Sequence, residues 1–317
     1  MNILLMYNPS AGHRDRLALA APGARLNVAT SEADARELIR DADAVLGNRW
    51  FFQAFPDARQ LRWMQSNSMG VDLILRNASP RLRDITLTCV RGVYEAELAE
   101  HALALLLGVS RGLRESVEHY HRRAWGRWAL PTLSGKRCLV LGWGAIGRAV
   151  GTRLRALGLD VQGVRRSVGD LPERDPEGFL VHGPLTWRDE LPRTEVLMVT
   201  LPLTPATEKC VGLAELQSLP STAIVVNVGR GAVVDEPVLF ELLRRGRLAG
   251  AGLDTLISEP PAPDSDVWTV PRLLLTPHVG RSLESGHPRW ERVFEENLGR
   301  FWRGEPLLHV VDQEAGY

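Results

Sequence analysis

Cysteine is scarce in this chain, occurring only at Cys89, Cys138 and Cys210. An odd, widely spaced set with apolar or strand-like neighbours and no C-x-x-C pair makes neither a disulfide framework nor a thiolate metal site, so buried reduced thiols are expected. Net charge is missing as well: 38 basic residues balance 38 acidic ones, with a pI near 7.1. That excludes a broad basic face for nucleic acid and makes a small molecule the expected partner. No run of apolar residues is long; the longest, "ALALLLGV" at 102–109, is far too short to cross a bilayer. The opening "MNILLMYNPS" lacks a charged n-region and a small-residue cleavage site, so it reads as the first strand of a cytoplasmic protein. Lysine appears only at Lys136 and Lys209, and nothing functional follows from that. His119 and His121, two apart, face different sides of a helix. The other histidines are isolated, and no metal is expected.

What the chain does have is punctuation suited to two α/β domains, for which 317 residues suffice. Short apolar runs at 2–7, 44–47, 61–65 and 86–90 alternate with helix-like segments such as 31–40, the pattern of a parallel sheet. A helix starting near Glu97, "ELAEHALALLLGVSRGL", is hydrophobic almost all round and is expected to be buried between domains or subunits. A second series has strands at 136–142, 159–164, 195–201, 223–228, 248–254 and 273–278. An amphipathic last helix over roughly 284–303 and the tail "GEPLLHVVD" are expected to return to the first domain. The fold class is therefore α/β, with two doubly wound parallel-sheet domains. A Rossmann nucleotide domain spans 96–283, and a discontinuous flavodoxin-like substrate domain comprises 1–95 and 284–317.

In "VLGWGAIGRAV", Gly142, Gly144 and Gly147 stand between a strand and a helix. The first permits a tight turn, the second lets backbone approach a pyrophosphate, and the third lets helix and strand pack closely. The anion would rest on the helix N-terminus. About twenty residues on, where an acid would accept the ribose 2′-OH of NAD, the second strand ends in "VRRS". Arg165, Arg166 and Ser167 would instead hold a 2′-phosphate by charge-assisted hydrogen bonds. NADP(H) is the preferred cofactor on this reading. If both arginines are only solvated surface residues, the choice is loose and NAD(H) is possible.

Three further segments follow: "VNVGRGAVVDEPVL" with Arg230, "AGLDTLISEPP" with Asp254 and Glu259, and "LLLTPHVGRS" with His278. Together with "SNSMGVD" and "LAEHALALLLGVSRG" they resemble, over nearly the whole chain, the D-isomer-specific 2-hydroxyacid dehydrogenase family. The "VRRS" strand end and the closing "GEPLLHVVDQEAGY" look like its glyoxylate/hydroxypyruvate reductase and broad 2-ketoacid reductase branch. The resemblance implies cofactor contacts at Gly142, Gly144, Ala145, Ile146, Gly147, Arg165, Arg166, Ser167, Leu201, Pro202, Thr207, Val228, Gly229, Asp254 and His278, with Asp254 near the nicotinamide carboxamide. It also implies D-2-hydroxy acid products and a homodimer cored by the helix at 97–111.

The chemistry reads alongside. Reducing a 2-ketoacid needs a hydride donor, a cation for the carboxylate and carbonyl oxygen, and an acid for the forming alkoxide. Arg230 supplies the cation and His278 the proton, because imidazole titrates near neutrality. Glu259 would bond the other ring nitrogen, fixing its orientation and favouring the protonated ring. Taken singly, each has a structural reading: a tight "GRG" turn, a loop histidine, an exposed loop acid, a strand-end cap at Asp254. Their joint occurrence in family order favours the catalytic one. Domain closure would exclude water.

The loop Ser66–Asp72 is expected to offer backbone N–H groups to the substrate carboxylate through Ser68, Met69 and Gly70, with Asp72 capping the next helix. Ser68 and Met69 depart from the glycine and small residue usual before Gly70, which puts pocket size in doubt. Trp50, Phe51 and Phe52 are candidates for an apolar pocket wall or for core, and Tyr94 is a similarly open substrate-binding candidate. His287 and Trp290 have no place in the family pattern and suggest a partner or domain edge. Two other readings stay open. A dinucleotide-responsive corepressor could keep the triad. A formate dehydrogenase would have glutamine in place of Glu259.

Overall fold

The computed structural model describes residues 1–77, 79–281 and 288–317. They form two compact units, 1–93 with 284–317, and 94–283. His287 lies outside the described residues.

The first unit runs β1 (Asn2–Leu5), α1 (Ala11–Ala20), β2 (Arg25–Val28), α2 (Glu32–Leu38), β3 (Ala44–Leu46), α3 (Phe51–Ala54), β4 (Trp63–Gln65), α4 (Asp72–Asn77) and β5 (Thr86–Thr88). Its sheet is parallel in the order β2-β1-β3-β4-β5, the flavodoxin-like winding. β3 and β4 are wholly buried, as expected for parallel strands covered on both faces. β2, "RLNV", lies at the sheet edge with no fully buried residue, so it carries no apolar run, and five strands stand where the runs predict four. Asp72 is the first residue of α4, inside the helix rather than ahead of it.

The last helix of the chain, described over Pro288–Arg303, belongs to this unit. Its Asn297 donates to Gln65 Oε1 at 2.8 Å and accepts the Leu308 N–H at 2.8 Å, fastening helix and tail to β4. Trp290 packs within the unit, edge-on to Tyr7 and Phe294. It covers a polar knot. His13, Glu291 and Glu295 bring ligand-type atoms within 4.8 Å of one another. Yet His13 is engaged on both nitrogens, by Tyr7 Oη at 2.8 Å and Glu295 at 2.9 Å, and Arg16 already binds both carboxylates, at 2.6 and 2.7 Å.

The second unit runs α5 (Glu95–Ser110), α6 (Leu113–His121), β6 (Arg137–Leu141), α7 (Ala145–Ala156), β7 (Asp160–Val164), β8 (Glu173–Arg174), β9 (Leu180–His182), β10 (Val196–Val199), α8 (Leu213–Ser218), β11 (Ile224–Asn227), α9 (Glu236–Arg244), β12 (Gly250–Leu253) and β13 (Leu273–Leu275); the helix at 288–303 is then α10. Its sheet order, β13-β12-β11-β10-β6-β7-β9-β8, contains the Rossmann winding, whose switch point lies between β6 and β10. Eight strands replace the six expected. β9 has only three residues, and β8, "ER", is two exposed charged residues paired antiparallel at the margin. Neither makes an apolar run. On α5, Ala99, Ala102, Leu105 and Leu106 enter the core of their own unit, while Ala104 and Leu107 are exposed in the single chain. No helix among the described residues is long and apolar enough to cross a membrane. All three cysteines are free, and burial pushes the Cys210 thiol up to about 11.

Candidate active site

The glycine loop follows β6 at the switch point. Gly142 has φ of +101°, in the left-handed region open to glycine. A Cβ on Gly147 would lie 2.1 Å from the Gly142 oxygen, so only glycine lets α7 start this close to β6. Around Gly144 a Cβ would meet nothing within 4 Å. Gly144 is also the N-cap residue of α7, so open space lies at a helix start whose N–H groups favour an anion. Ala145 is exposed and Ile146 half-buried beside it. These residues fit a dinucleotide pyrophosphate.

Trp143, between the first two glycines, is 1% exposed. Its ring occupies the space beside Gly151 and Gly163, where a Cβ would come within 2.4 and 2.3 Å of it. Its Nε1 donates to Asp175 Oδ2 at 2.8 Å. Burial would push the Asp175 carboxyl up, but the Trp143, Phe179 and Glu177 N–H groups outweigh it and hold it below the usual range. At the end of β7, the Arg165 N–H binds the His182 carbonyl at 3.0 Å. Its Nη2 donates to Glu173 Oε1 at 2.9 Å, while Arg166 and Ser167 are exposed.

On the other side of the switch point, Thr207 Oγ1 donates to the Pro202 carbonyl at 2.6 Å and accepts the Thr204 N–H at 2.8 Å. Its hydroxyl therefore shapes the loop after β10. A Cβ on Gly229 would lie 2.6 Å from the Leu201 oxygen, so this loop and the one after β11 touch through backbone. Val228 and Gly229 are buried, Leu201 and Pro202 half-buried.

Arg230 is presented by a turn that Asn227 ties from below. Asn227 Nδ2 donates to the Arg230 carbonyl and its Oδ1 accepts the Gly229 N–H, both at 2.9 Å. Asn227 is 1% exposed, and it escapes the motif reading because it looks like the end of an apolar strand. Arg230 Nη1 donates to the Gly229 carbonyl at 2.9 Å.

His278 and Glu259, nineteen positions apart, meet at 2.7 Å between Nδ1 and Oε2. The other Glu259 oxygen accepts the Leu256 N–H at 2.8 Å, so the carboxylate is held at both ends. His278 has φ of +53°, a left-handed conformation few non-glycine residues adopt, with its N–H on the Asp254 carbonyl at 2.9 Å. Nearly half of the His278 side chain, 43%, is accessible, so the pair is open to a ligand.

Asp254, 2% exposed, faces a set of donors within its own unit. They are Thr276 Oγ1 at 2.7 Å, the Gly280 and Val279 N–H groups at 2.9 and 3.0 Å, and His101 Nε2 at 3.1 Å. Burial alone would raise its pKa, but these donors hold it below the usual range. Its carboxylate organises the turn carrying His278. His101, on α5, is a member of this set that spacing alone does not reveal.

In the first unit, the loop after β4 is tied to Asn48. Asn48 Oδ1 accepts the Asn67 N–H at 3.0 Å and its Nδ2 donates to Ser68 Oγ at 3.1 Å. The Ser68 N–H goes to Ser66 Oγ at 3.0 Å. The Asn67 and Ser68 amides are thus already engaged, and the loop's offer to a carboxylate narrows to Met69 and Gly70. Phe51 is fully buried and stacks on Phe55, so it is core. Trp50 has φ of +60° and lies under the Arg49 guanidinium, 4.2 Å from its ring. Tyr94, the first residue of the second unit, is 3% exposed with Arg281 over its ring at 5.7 Å.

Residues 103–280 match the family model described as D-isomer specific 2-hydroxyacid dehydrogenase, NAD binding domain. Over 311 residues the chain is 30% identical to hydroxyphenylpyruvate reductase of Plectranthus scutellarioides, covering 97% of this chain and 92% of that protein. It is 32% identical over 291 residues to glyoxylate reductase of Aeropyrum pernix, covering 87% and 84% respectively. Among solved structures, the NADPH-dependent glyoxylate/hydroxypyruvate reductase of Sinorhizobium meliloti, in complex with NADP and sulfate, superposes with a TM-score of 0.84 at 27% identity, covering 100% of this chain and 99% of that one.

Proposed function

The chain belongs to the D-isomer-specific 2-hydroxyacid dehydrogenase family, and from that premise we propose that this oxidoreductase reduces small 2-ketoacids to D-2-hydroxy acids with NADPH as its preferred dinucleotide. The observation that carries the reading is the 2.7 Å contact between His278 Nδ1 and Glu259 Oε2. It is the acid–base pair this chemistry requires, in the same unit as the glycine loop.

Gly142, Gly144, Gly147 and the start of α7 would hold the pyrophosphate of the dinucleotide, whose reduced nicotinamide would supply the hydride. Arg230 pairs with the substrate carboxylate and draws electron density toward the carbonyl oxygen, from a turn that Asn227 keeps rigid. With Nδ1 engaged by Glu259, His278 delivers its proton from Nε2 to the forming alkoxide oxygen and regains one from solvent. Glu259 stabilises the charged ring and fixes its orientation. The substrate-binding residues of this reading are Arg230, Ser68, Met69, Gly70, Trp50 and Tyr94, with carboxylate hydrogen bonds from the Met69 and Gly70 amides.

The preference for NADPH is supported by Arg165, Arg166 and Ser167 at the tip of β7 and by relatives solved with NADP and with NADPH. NADH remains usable. Relatives named for glyoxylate and for hydroxyphenylpyruvate bracket the substrate size, and Met69 favours the larger end. The homodimer expected of this branch is supported by exposed Leu113, Val117, Tyr120 and Trp125 along and after α6.

The test is loss of nicotinamide absorbance with NADPH and NADH in parallel, against glyoxylate, hydroxypyruvate, pyruvate and phenylpyruvate. Turnover with NADPH favoured is expected. Tight dinucleotide binding with no turnover of any ketoacid would replace the reductase with a binding protein.

A further inference from the structure

The carboxylate that the nucleotide fold expects at the end of its second strand is present, but it arrives from another strand. Arg165 occupies the strand end, and its Nη2 is bound by Glu173, eight residues on, at 2.9 Å. The Arg165 Nε is buried with no hydrogen-bond partner, so the guanidinium has donor capacity that its one acid does not fill. β8 brings Glu173 there, pairing antiparallel with β9 so that Glu173 lies across from Val181.

This placement is built from inside. Two residues beyond Glu173, Asp175 is anchored by Trp143 Nε1 at 2.8 Å and by the Glu177 and Phe179 N–H groups at 3.0 Å each. The Trp143 ring is locked against Gly151 and Gly163, and the Trp143 backbone N–H donates to the Val164 carbonyl at 2.7 Å, one residue before Arg165. The pyrophosphate loop, the strand end and the acid of β8 are therefore one fastened assembly.

We propose that Glu173 determines dinucleotide specificity: its carboxylate accepts the ribose 2′-OH of NADH and must release Arg165 before a 2′-phosphate is held. A carboxylate repels a 2′-phosphate and competes with it for the same donor, yet it is the acceptor a bare 2′-OH needs. Glu173 thus restrains the gain from Arg165 and keeps NADH usable. The inference rests on the proposed NADPH reading and adds to it a residue acting in the opposite sense.

The experiment is titration of nicotinamide fluorescence with NADPH and NADH for the wild-type chain, E173Q and R165A, which reads binding whatever the ketoacid. In E173Q the NADPH Kd is expected to fall and the NADH Kd to rise, raising the NADH-to-NADPH ratio of Kd values by about two- to five-fold, the range an exposed ion pair is worth. Equal changes for both dinucleotides, or none, with R165A lowering the ratio, would overturn the role of Glu173 and leave the NADPH reading standing. An unmoved ratio in R165A would bring down both.

Discussion

Gly231 and Leu256 meet backbone to backbone: a Cβ on Gly231 would lie 2.1 Å from the Leu256 carbonyl carbon and 2.4 Å from the Ile257 nitrogen. Arg230 immediately precedes this contact, and the segment leading to Glu259 follows it. Glu236 closes the junction from α9, accepting the Ile257 N–H at 2.5 Å. Arg230 and Glu259, the proposed substrate cation and the proposed partner of the proton donor, thus flank a single packed junction.

Gly231→Ala forces that junction apart, because the new methyl meets main chain rather than a flexible side chain. The fold should survive, with kcat/KM falling about 10²-fold, the cost of misplacing catalytic groups by about an ångström. Steady-state kinetics beside a dinucleotide titration checks this. Dinucleotide Kd should stay within two-fold, since the glycine loop is untouched.

Removing the imidazole tests the proton step. His278→Ala should lower kcat by about 10²- to 10⁴-fold with little change in dinucleotide affinity. A variant reducing ketoacids at the wild-type rate would reject His278 as the acid.

Arg230→Lys keeps the charge and discards the planar fork. Bidentate binding of a carboxylate should be lost, so KM for the ketoacid rises by about ten-fold or more while NADPH binding is unchanged. An unaltered KM would move the substrate cation elsewhere.

The Glu236 carboxyl is pushed up to about 7 by burial, with Glu259 and Asp235 adding to it. An unfolded glutamate titrates near pH 4.3, so between these values the native state binds the extra proton. The stability this contributes is full below the unfolded value and is lost as pH rises through about 7. Urea melts at pH 6 and 8 should show the native chain losing about 1–2 kcal/mol more than Glu236→Gln over that interval. His182, whose pKa burial lowers, contributes an opposite slope, but it is common to both proteins and cancels in the difference. Equal slopes would show that Glu236 is ionised throughout.

The parts of the site legible in the sequence are those made by backbone rules. Three glycines after an apolar strand announce a phosphate loop because no other residue permits that turn and that helix approach. Arg230, Glu259 and His278 are legible through motif order, and the structure brings Glu259 and His278 into contact. What escaped are polar side chains that read as strand or helix residues until their partners are seen, some of them far along the chain. Asn227 looks like a strand residue until its two bonds to the next turn are seen. His101 meets Thr276 at 2.9 Å across 175 positions, and Asn48 meets Ser68 across 20. Strands β2 and β8 escaped for another reason: at a sheet margin, pairing on one side suffices and polar residues are tolerated.

The marginal position of β8 bears on how such a chain diversifies. It is an antiparallel pair of residues appended to an otherwise parallel sheet, distant in sequence from Arg230, Glu259 and His278. The exposed residues 170–174, ahead of the buried Asp175, Phe179 and Val181, are therefore the stretch most open to exchange. A graft that preserves Asp175, and with it the grip on Trp143, can carry a new residue at 173 and retune the dinucleotide without disturbing the machinery that handles the ketoacid. Redox currency and substrate can evolve on separate clocks.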